Sequence, residues 1–368
     1  MSKRLHIIEP TLENEAGHCH SFVESLCGAW ARRGDAYALT VWAGIGARLP
    51  GLDAKGVVVR PYFHRRIRRL QEFLLIARLL RLPCRIFIPT AGRMDLLILR
   101  LAAHTPIPPA KVFLFVHWFR PTAGKREAFR KAARRLPQVH VMGPTESVAS
   151  VFRECGFANA EVVPYPISAQ RPGHFPSGMG FRHLVYAGAA RQDKGFSRIV
   201  DLVETLAGSR SDIPVAVQAS ADHYDKLDPR SKSDLERLQG VRYPALRVYP
   251  DTLEGDAYAD LFRGGICLQP YDREDFADRV SGVTLDALSA GCPVVATAGT
   301  WIARTVRRFD AGKVLEDLSP PAILSAVDAV RSDYARYRDN ARAAGRSLQE
   351  ENDAGKLYEA LTRETGRA

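Results

Sequence analysis

Short apolar runs alternate with amphipathic segments along the first half of the chain. The runs are LHIIEP, ALTVWA, GVVVRP, CRIFIP, KVFLFVHW and VHVMGP, and the segments between them include predicted helices over 18–33 and 125–135. Uninterrupted apolar runs rich in β-branched residues, separated by helices, are typical of parallel strands that are buried on both faces. The pattern therefore predicts an α/β domain with an open parallel sheet.

The alternation stops once and then resumes. Residues 164–180, PYPISAQRPGHFPSGMG, hold four Pro and three Gly, which is linker composition. The runs HLVYAG, PVAVQAS, LRVYP, GICLQPY and PVVAT follow, again with helical segments between them. We predict two Rossmann-like doubly wound domains facing across a cleft, over 1–168 and 181–345, with a linker at 169–180. A helical tail over 346–368 could return to the first domain.

Composition limits the class of protein. The chain has 368 residues, 46% of them hydrophobic and 25% charged, which is ordinary for a globular protein of two domains. The apolar run near the N-terminus is too short for a signal peptide, and no run approaches the length of a membrane span. Six scattered cysteines form no CxxC pair, so we expect a reducing, cytoplasmic setting and no structural metal.

The segment RVSGVTLDALSAGCPVVAT, residues 279–297, combines a helix start, an acid and a buried strand. Free backbone N–H groups at a helix N-terminus bind anions such as a diphosphate, and glycine lets the anion approach closely. Asp286 could then hydrogen-bond a neighbouring ribose. The alternative is an ordinary capped helix with Asp286 as a favourable first-turn acid. The amides at issue are those of Ser281, Gly282 and Val283.

A second candidate anion site lies upstream, in YAGAARQDKGF. Arg191 and Lys194 follow a predicted strand end at Gly188 and precede a helix that starts after Gly195. Two cations in a loop at the carboxyl end of a strand suit a second contact with the same diphosphate. The alternative is a solvated turn whose charges contribute little energy.

Together these two motifs resemble the carboxyl-terminal domain of family-4-like, GT-B-fold glycosyltransferases. The Lys194-Gly195 pair matches the family's Lys-Gly, and Asp278 and Asp286 fall on two glutamate positions with seven residues between them. Leu285-Asp286-Ala287-Leu288 is similar to Leu-Glu-Ala-Met, and Gly291, Pro293 and Val294 match directly. The resemblance covers residues 182–330 and is mostly topological in the first half.

The sequence departs from the family pattern at several positions. Ala189 replaces the arginine that follows the glycine, and Arg191 stands two residues later. Both glutamates are aspartates, each one methylene shorter. The glycine-rich loop after the first strand is TLENEAGHCH, in which Gly17 is the only glycine.

The resemblance implies a hexosyltransferase that moves a sugar from a UDP- or GDP-sugar to a lipid-linked or polysaccharide-precursor acceptor. It further implies a retaining reaction that needs no cofactor and no metal, and the sequence has no Asp-x-Asp at a strand end. Fixed cations and amides would stabilise the leaving diphosphate. The implied catalytic residues are His117, Arg191, Lys194 and Asp278; the implied donor-binding residues are Gly17, Ser281, Gly282, Val283 and Asp286. The alternative is a non-catalytic scaffold that binds a nucleotide sugar.

His117 and Gly17 are the candidates in the first domain. His117 ends the predicted strand KVFLFVHW, and the resemblance places a histidine near there that faces the donor sugar. Carboxyl ends of parallel strands form the ligand edge of such sheets. The alternative is a histidine whose hydrogen bonds are satisfied within the domain.

The net charge of +11 is unevenly distributed. Residues 60–135 hold 18 Lys or Arg and three acids, and 63–82 read as a basic amphipathic helix with apolar residues at 63, 67, 70, 73, 74, 77 and 80. Such a helix suits an anionic membrane surface, which makes peripheral attachment at the inner face of the membrane a prediction. The alternative is a domain helix that packs its apolar face on the sheet. No nucleic-acid motif occurs, so we expect no nucleic-acid partner.

Overall fold

The computed structural model describes residues 3–15, 17–34, 37–119, 121–167, 179–209, 211–220, 228–253 and 255–364. The chain divides into two compact units: unit 1 comprises residues 1–169 and 351–368, and unit 2 comprises 170–350. The linker predicted at 169–180 lies outside the described residues except for its last two positions.

Unit 1 begins with alternating strands and helices. The strands are β1 (Lys3–Ile8), β2 (Tyr37–Gly44), β3 (Val58–Phe63), β4 (Arg85–Ile88), β5 (Val112–Phe115), β6 (His140–Gly143) and β7 (Ala160–Val162). The helices between them are α1 (Gly17–Arg33), α2 (Pro50–Asp53), α3 (Arg68–Leu80), α4 (Arg93–Ala102), α5 (Ala123–Arg135) and α6 (Glu146–Glu154).

Unit 2 repeats this alternation. Its strands are β8 (His183–Tyr186), β9 (Val215–Gln218), β10 (Leu246–Tyr249), β11 (Gly265–Gln269), β12 (Val294–Thr297) and β13 (Gly312–Leu315). Its helices are α7 (Phe196–Gly208), α8 (Pro229–Gly240), α9 (Gly255–Phe262), α10 (Gly282–Ser289), α11 (Trp301–Phe309), α12 (Pro320–Arg331) and α13 (Tyr334–Glu351), and a 3₁₀ helix spans Gln192–Lys194. A final helix, α14 (Ala354–Thr362), belongs to unit 1.

Both sheets are parallel and doubly wound. The strand orders are β3-β2-β1-β4-β5-β6-β7 in unit 1 and β10-β9-β8-β11-β12-β13 in unit 2. The prediction of two Rossmann-like domains is thereby confirmed. In each unit the order reverses once, between β1 and β4 and between β8 and β11, and ligands of such sheets bind at the carboxyl ends of the strands beside this reversal.

The C-terminal helix completes the core of unit 1. Ile86 and Ile88 of β4 belong to one apolar cluster, while Phe87 between them belongs to the cluster on the opposite face. Leu357 and Tyr358 of α14 are fully buried in that second cluster, which also includes Phe22 of α1. The N-terminal sheet therefore depends on residues more than 180 positions beyond β7 to cover one of its faces.

The basic helix differs from the sequence prediction. It begins at Arg68 rather than at residue 63, and it packs on the domain through Leu75, Ile76 and Leu79. The apolar residues Leu70 and Leu74, which the alternative would pack on the sheet, are more than half exposed. The helix is rotated because the charged pair Arg69–Glu72 takes a position beside α4, where Arg69 Nη1 binds the carboxylates of Glu72 at 2.8 Å and Asp95 at 2.9 Å.

We expect Leu357→Ala to destabilise unit 1 by about 3 kcal/mol, because a buried leucine is truncated and leaves a cavity. Three of the four tryptophans, Trp30, Trp42 and Trp118, lie in unit 1, so urea unfolding followed by tryptophan fluorescence reports mainly on it. The matched control is Leu101→Ala on α4, whose side chain is 55% exposed and should cost less than about 0.5 kcal/mol. Equal unfolding midpoints for the two variants would contradict the assignment of α14 to the core.

Candidate functional site

Two loops meet at the carboxyl edge of the unit 2 sheet. One follows β8 and leads through the 3₁₀ helix into α7; the other follows β11 and leads into α10. Because β8 and β11 are hydrogen-bonded neighbours at the reversal of strand order, the loops lie side by side. This is where the topology of the fold predicts a ligand site.

Gly195 allows the two loops to approach at backbone distance. Its φ is +69°, a left-handed conformation that favours glycine, and a Cβ at this position would lie 2.0 Å from the carbonyl oxygen of Pro270. No other residue fits there without moving the chain. The Lys-Gly pair found in the sequence therefore reflects a steric requirement of the loop.

Lys194 extends along this loop toward Gly188. A Cβ built on Gly188, whose φ is +112°, would lie 2.7 Å from Lys194 Nζ, and the ammonium lies 5.8 Å from the ring centre of Tyr271. Burial, and then the nearby charges of Arg191 and Arg279, lower the pKa of Lys194 from 10.5 to about 8. Without a bound anion, the site therefore stabilises the charged form of Lys194 poorly.

Asp193 compensates part of that charge. Its carboxylate accepts a two-point hydrogen bond from Arg191, from Nε at 2.7 Å and from Nη2, and Nη1 of Arg279 lies 3.3 Å away. Its backbone carbonyl accepts the amide of Asp272 at 2.9 Å, which ties the two loops together. Arg191, predicted to contact a diphosphate, is thus engaged by a carboxylate two residues away. Arg279 is a cation of this site that sequence reasoning missed, although it opens the motif at 279–297.

A buried polar network anchors the other side of the 3₁₀ helix. The amide nitrogen of Gln192 donates to Asp234 of α8 at 3.0 Å and to Ser231 at 3.2 Å, and Ser197 of α7 donates to the amide oxygen of Gln192 at 2.6 Å. Burial opposes ionisation of Asp234, but hydrogen bonds from Ser197, Gln192 and Arg237 outweigh it and lower its pKa. The loop is therefore held on one side through Asp193 and on the other through Gln192. Neither contact is recognisable from the spacing of residues in the sequence.

The N-terminus of α10 faces the same point as Lys194. Ser281 caps the helix by accepting the amide of Thr284 at 3.3 Å, and the Cβ position of Gly188 lies 3.8 Å from Val283 Cγ2. Gly282 is exposed, and nothing lies within 4 Å of where its Cβ would be. The structure therefore brings Lys194 and the first turn of α10 together beside Gly188, and a helix N-terminus next to a cation suits an anion.

Asp286 does not lie where the helix-capping alternative needs it. Because α10 starts at Gly282, Asp286 is its fifth residue and not a first-turn acid, so that part of the alternative is wrong, whereas Ser281 does cap the helix. The hydroxyl of Tyr258 on α9 donates to Asp286 Oδ2 at 3.0 Å. Burial, and then the charge of Asp286, raise the pKa of Tyr258 well above its usual value, so the hydroxyl keeps its proton and remains a donor. Tyr258 was not foreseen from the sequence.

Asp278 contacts a different element. Its carboxylate accepts a hydrogen bond from Arg304 of α11 at 2.7 Å, and the same guanidinium nitrogen donates to the carbonyl of Ala277 at 2.7 Å. The contact anchors the loop after β11 to α11. Asp278 therefore has a structural partner, whatever part it takes in chemistry.

In unit 1, polar side chains again gather where the strand order reverses. Glu9, directly after β1, is fully buried and accepts hydrogen bonds from the hydroxyls of Thr11 and of Thr90, which follows β4. Burial raises its pKa, and these hydrogen bonds oppose the shift. Sequence reasoning missed Glu9; its signal was an acid placed directly after an apolar strand.

His117 lies two residues beyond β5 and is held within unit 1. Its Nε2 lies 2.8 Å from the carbonyl oxygen of Pro89, and its ring packs against those of Phe22 and Tyr165 and lies 6.0 Å from that of His18. Gly17 is exposed and opens α1 with a φ of +78°. The two candidates of unit 1 thus occupy the same edge of the sheet as Glu9.

Comparison with solved structures identifies the same fold across nearly the whole chain. A glycosyltransferase from Rickettsia africae is 12% identical, with a TM-score of 0.70 over 99% of this chain and 100% of that one. Anabaena Alr3699/HepE in complex with UDP-glucose is 13% identical (TM-score 0.65; 97% and 98% covered), and WaaG, a glycosyltransferase involved in lipopolysaccharide biosynthesis, is 14% identical (0.64; 98% and 100%). At these identities the similarity shows the fold.

The sequence itself matches no protein-family model and no curated protein. Over the described ranges, no helix has the length and apolar character needed to cross a bilayer. Over the same ranges, no group of three or more His, Cys, Asp or Glu side chains is arranged to hold a metal ion.

We expect the Lys194 ammonium to titrate near pH 8 in an NMR titration of ¹³Cε-labelled lysines, with the resonance assigned by its loss in Lys194→Met. The folded-state pKa lies below the usual 10.5, so the charge destabilises the fold at pH below about 8, and this cost disappears as the pH rises toward 10.5. Lys194→Met should accordingly be more stable than the parent at pH 7, with the difference shrinking above pH 8. A midpoint near 10.5 would contradict the buried position of Lys194.

Proposed function

We propose that the chain is a glycosyltransferase whose unit 2 binds a nucleoside diphosphate sugar. The observation that carries the proposal is the convergence of Lys194 Nζ and the N-terminus of α10 beside Gly188. A partly buried cation and the N-terminus of a helix at one point, at the reversal of strand order, suit a diphosphate. Solved structures with this fold, which match nearly the whole chain, include a glycosyltransferase and a protein in complex with UDP-glucose. These similarities support the same assignment.

The chemistry follows from the position of these donors. The acceptor hydroxyl oxygen forms a bond to the anomeric carbon of the sugar, and the bond from that carbon to the diphosphate oxygen breaks. In a retaining reaction the departing diphosphate takes the acceptor's proton on the same face. Negative charge on the leaving group grows in this step, so Lys194 and the amides of Gly282 and Val283 stabilise the transition state without a metal ion.

Asp286 is assigned to the ribose of the donor. A carboxylate at the fifth position of α10 lies one turn beyond the amides, next to the phosphate position, and it accepts hydrogen bonds from neutral hydroxyls. The hydrogen bond from Tyr258 holds one of its oxygens in place. A fixed carboxylate orients the ribose at a smaller entropic cost than a mobile one.

Unit 1 is assigned to a glycan or lipid-linked glycan acceptor. Thr90, which is held by the buried Glu9, and His117 place hydrogen-bonding groups at the carboxyl edge of the sheet, where ligands of such folds bind. A non-catalytic scaffold that binds a nucleotide sugar is the second candidate. It is favoured by two ion pairs, Arg191 with Asp193 and Asp278 with Arg304, which engage two residues first assigned to catalysis.

We expect Lys194→Ala to slow transfer by on the order of 10² to 10³, because a charged stabiliser of the transition state is lost. The assay measures UDP or GDP release from a panel of UDP- and GDP-sugars, starting with UDP-glucose. Lys232→Ala, which removes an exposed lysine of α8, is the control and should leave the rate unchanged. Donor binding without any release by the parent would favour the scaffold, and equal rates for the parent and Lys194→Ala would remove the role of Lys194.

We further propose that α3 and α4 attach the protein to an anionic membrane surface. Apolar side chains are exposed on both helices. They are Leu70 and Leu74 on α3, Ile67 just before α3, and Met94 and Leu101 on α4. Of the three acids between residues 60 and 135, Glu72 and Asp95 are buried, so the surface is more basic than the composition indicates. Exposed leucines among arginines are typical of an interfacial helix.

Arg69 differs from its neighbours and must be left out of any test. Its guanidinium binds the buried carboxylates of Glu72 and Asp95, and removing it would leave buried charge uncompensated. Burial, and then the hydrogen bond and charge of Asp95, raise the pKa of Glu72. The arginines chosen for the test are Arg65, Arg66 and Arg68, which precede or open α3.

We expect replacement of Arg65, Arg66 and Arg68 by Gln to weaken binding to phosphatidylglycerol-containing vesicles on the order of 100-fold, at about 1 kcal/mol per arginine. Replacement of Leu70 and Leu74 by Ser should weaken it through lost apolar contact. The matched control replaces three cations of α5, Arg130, Lys131 and Arg134, by Gln. Co-sedimentation with the vesicles at low and high salt measures binding. Equal losses of vesicle binding in the α3 and α5 variants would mean that only the total charge of the protein matters, and would contradict the proposal.

A further inference from the structure

Four charged side chains of the unit 2 site form one cluster, and its charges do not balance. Arg191, Lys194 and Arg279 are cations, and Asp193 is the carboxylate that both arginines contact. Among these four side chains, the cations outnumber the carboxylate by two while Lys194 is protonated. An excess of partly buried like charge raises the free energy of the ligand-free state.

The two arginines are held very differently. Arg191 binds both oxygens of Asp193 through a planar two-point contact, the strongest form of this pair. Arg279 reaches Asp193 through one nitrogen at 3.3 Å, just beyond the usual N–H···O range, and its guanidinium lies 4.8 Å from the ring centre of Phe276. The carboxylate therefore compensates mainly Arg191, and ring stacking supports Arg279.

We propose that Arg279, together with Lys194, supplies the two positive charges that bind the diphosphate of the donor, while the Arg191–Asp193 pair positions the loop. This inference rests on the proposed function, since it assigns a further binding residue to the same site. It also assigns a cation to the site despite Ala189, where the family pattern has an arginine.

Charge matching supports the assignment. A nucleoside diphosphate sugar carries two negative charges on its diphosphate, which matches the excess of two cations among these four side chains. A guanidinium has five N–H donors in a fixed fork, so Arg279 can bridge a carboxylate and a phosphate oxygen. Lys194, whose pKa is depressed in part by Arg279, regains a full counter-charge when the dianion binds.

The test compares UDP binding by the parent and by Arg279→Gln, using isothermal titration calorimetry. Hydrogen bonds to charged groups contribute about 1.5–3 kcal/mol, so we expect affinity to fall about 10- to 100-fold. Uridine, measured by NMR line broadening, lacks the diphosphate and should bind both proteins alike. Arg279→Lys should recover part of the UDP affinity, because it keeps the charge but loses the fork.

The matched control is Arg273→Gln, on the same loop, whose guanidinium pairs with Glu316 at the surface. Its UDP affinity should equal that of the parent. If Arg279→Gln proves unfolded by its melting temperature, Arg279→Met, which keeps apolar contact with Phe276, replaces it.

Each result decides between defined outcomes. Parent-like UDP affinity in a folded Arg279 variant would overturn this inference and leave the proposed function standing. Equal loss of UDP and uridine affinity would make Arg279 a structural residue and would also overturn it. A parent protein that binds none of UDP, GDP and ADP would overturn the proposed function and this inference together.

Discussion

The carboxylate of Asp193 is the interaction on which the unit 2 site depends. It lies between two guanidiniums, and its own backbone carbonyl receives the amide of Asp272 from the neighbouring loop. Without this negative charge, three cations would lie close together at the carboxyl ends of β8 and β11 with less to offset their repulsion. Because Asp193 compensates only one of them, the loop can fold and the site still attracts an anion.

Backbone geometry fixes the same loop independently of charge. Gly195 approaches Pro270 so closely that any side chain would collide with it, and Gln192 is bound into the buried network around Asp234. A loop held by steric contact on one side and by hydrogen bonds on the other cannot rearrange to stabilise its own cations. Such preorganisation is what makes fixed cations effective for stabilising a developing negative charge, since no reorganisation is needed when the charge appears.

Unit 1 uses ion pairing for a different purpose. Arg69 compensates Glu72 and Asp95 within the contact between α3 and α4, which removes two acids from a surface that is otherwise basic. The same contact sets the rotation of α3 and leaves Leu70 and Leu74 exposed. One buried cluster thus explains why this helix presents both apolar and basic side chains outward.

The two parallel sheets and the positions of Lys194, Gly195 and α10 could be predicted from the sequence. They depend on local periodicity, on glycine where φ is positive, and on helix caps, all of which lie within a few residues of one another. The rotation of α3 could not, because an apolar pattern does not reveal that a buried ion pair with α4 competes for the same face. Glu9, Tyr258 and Arg279 also went unrecognised, since each acquires its partner from another segment of the chain. Local sequence determined where the loops of the site begin and end; tertiary packing decided which charges are compensated there, because compensation depends on distances between residues far apart in the chain.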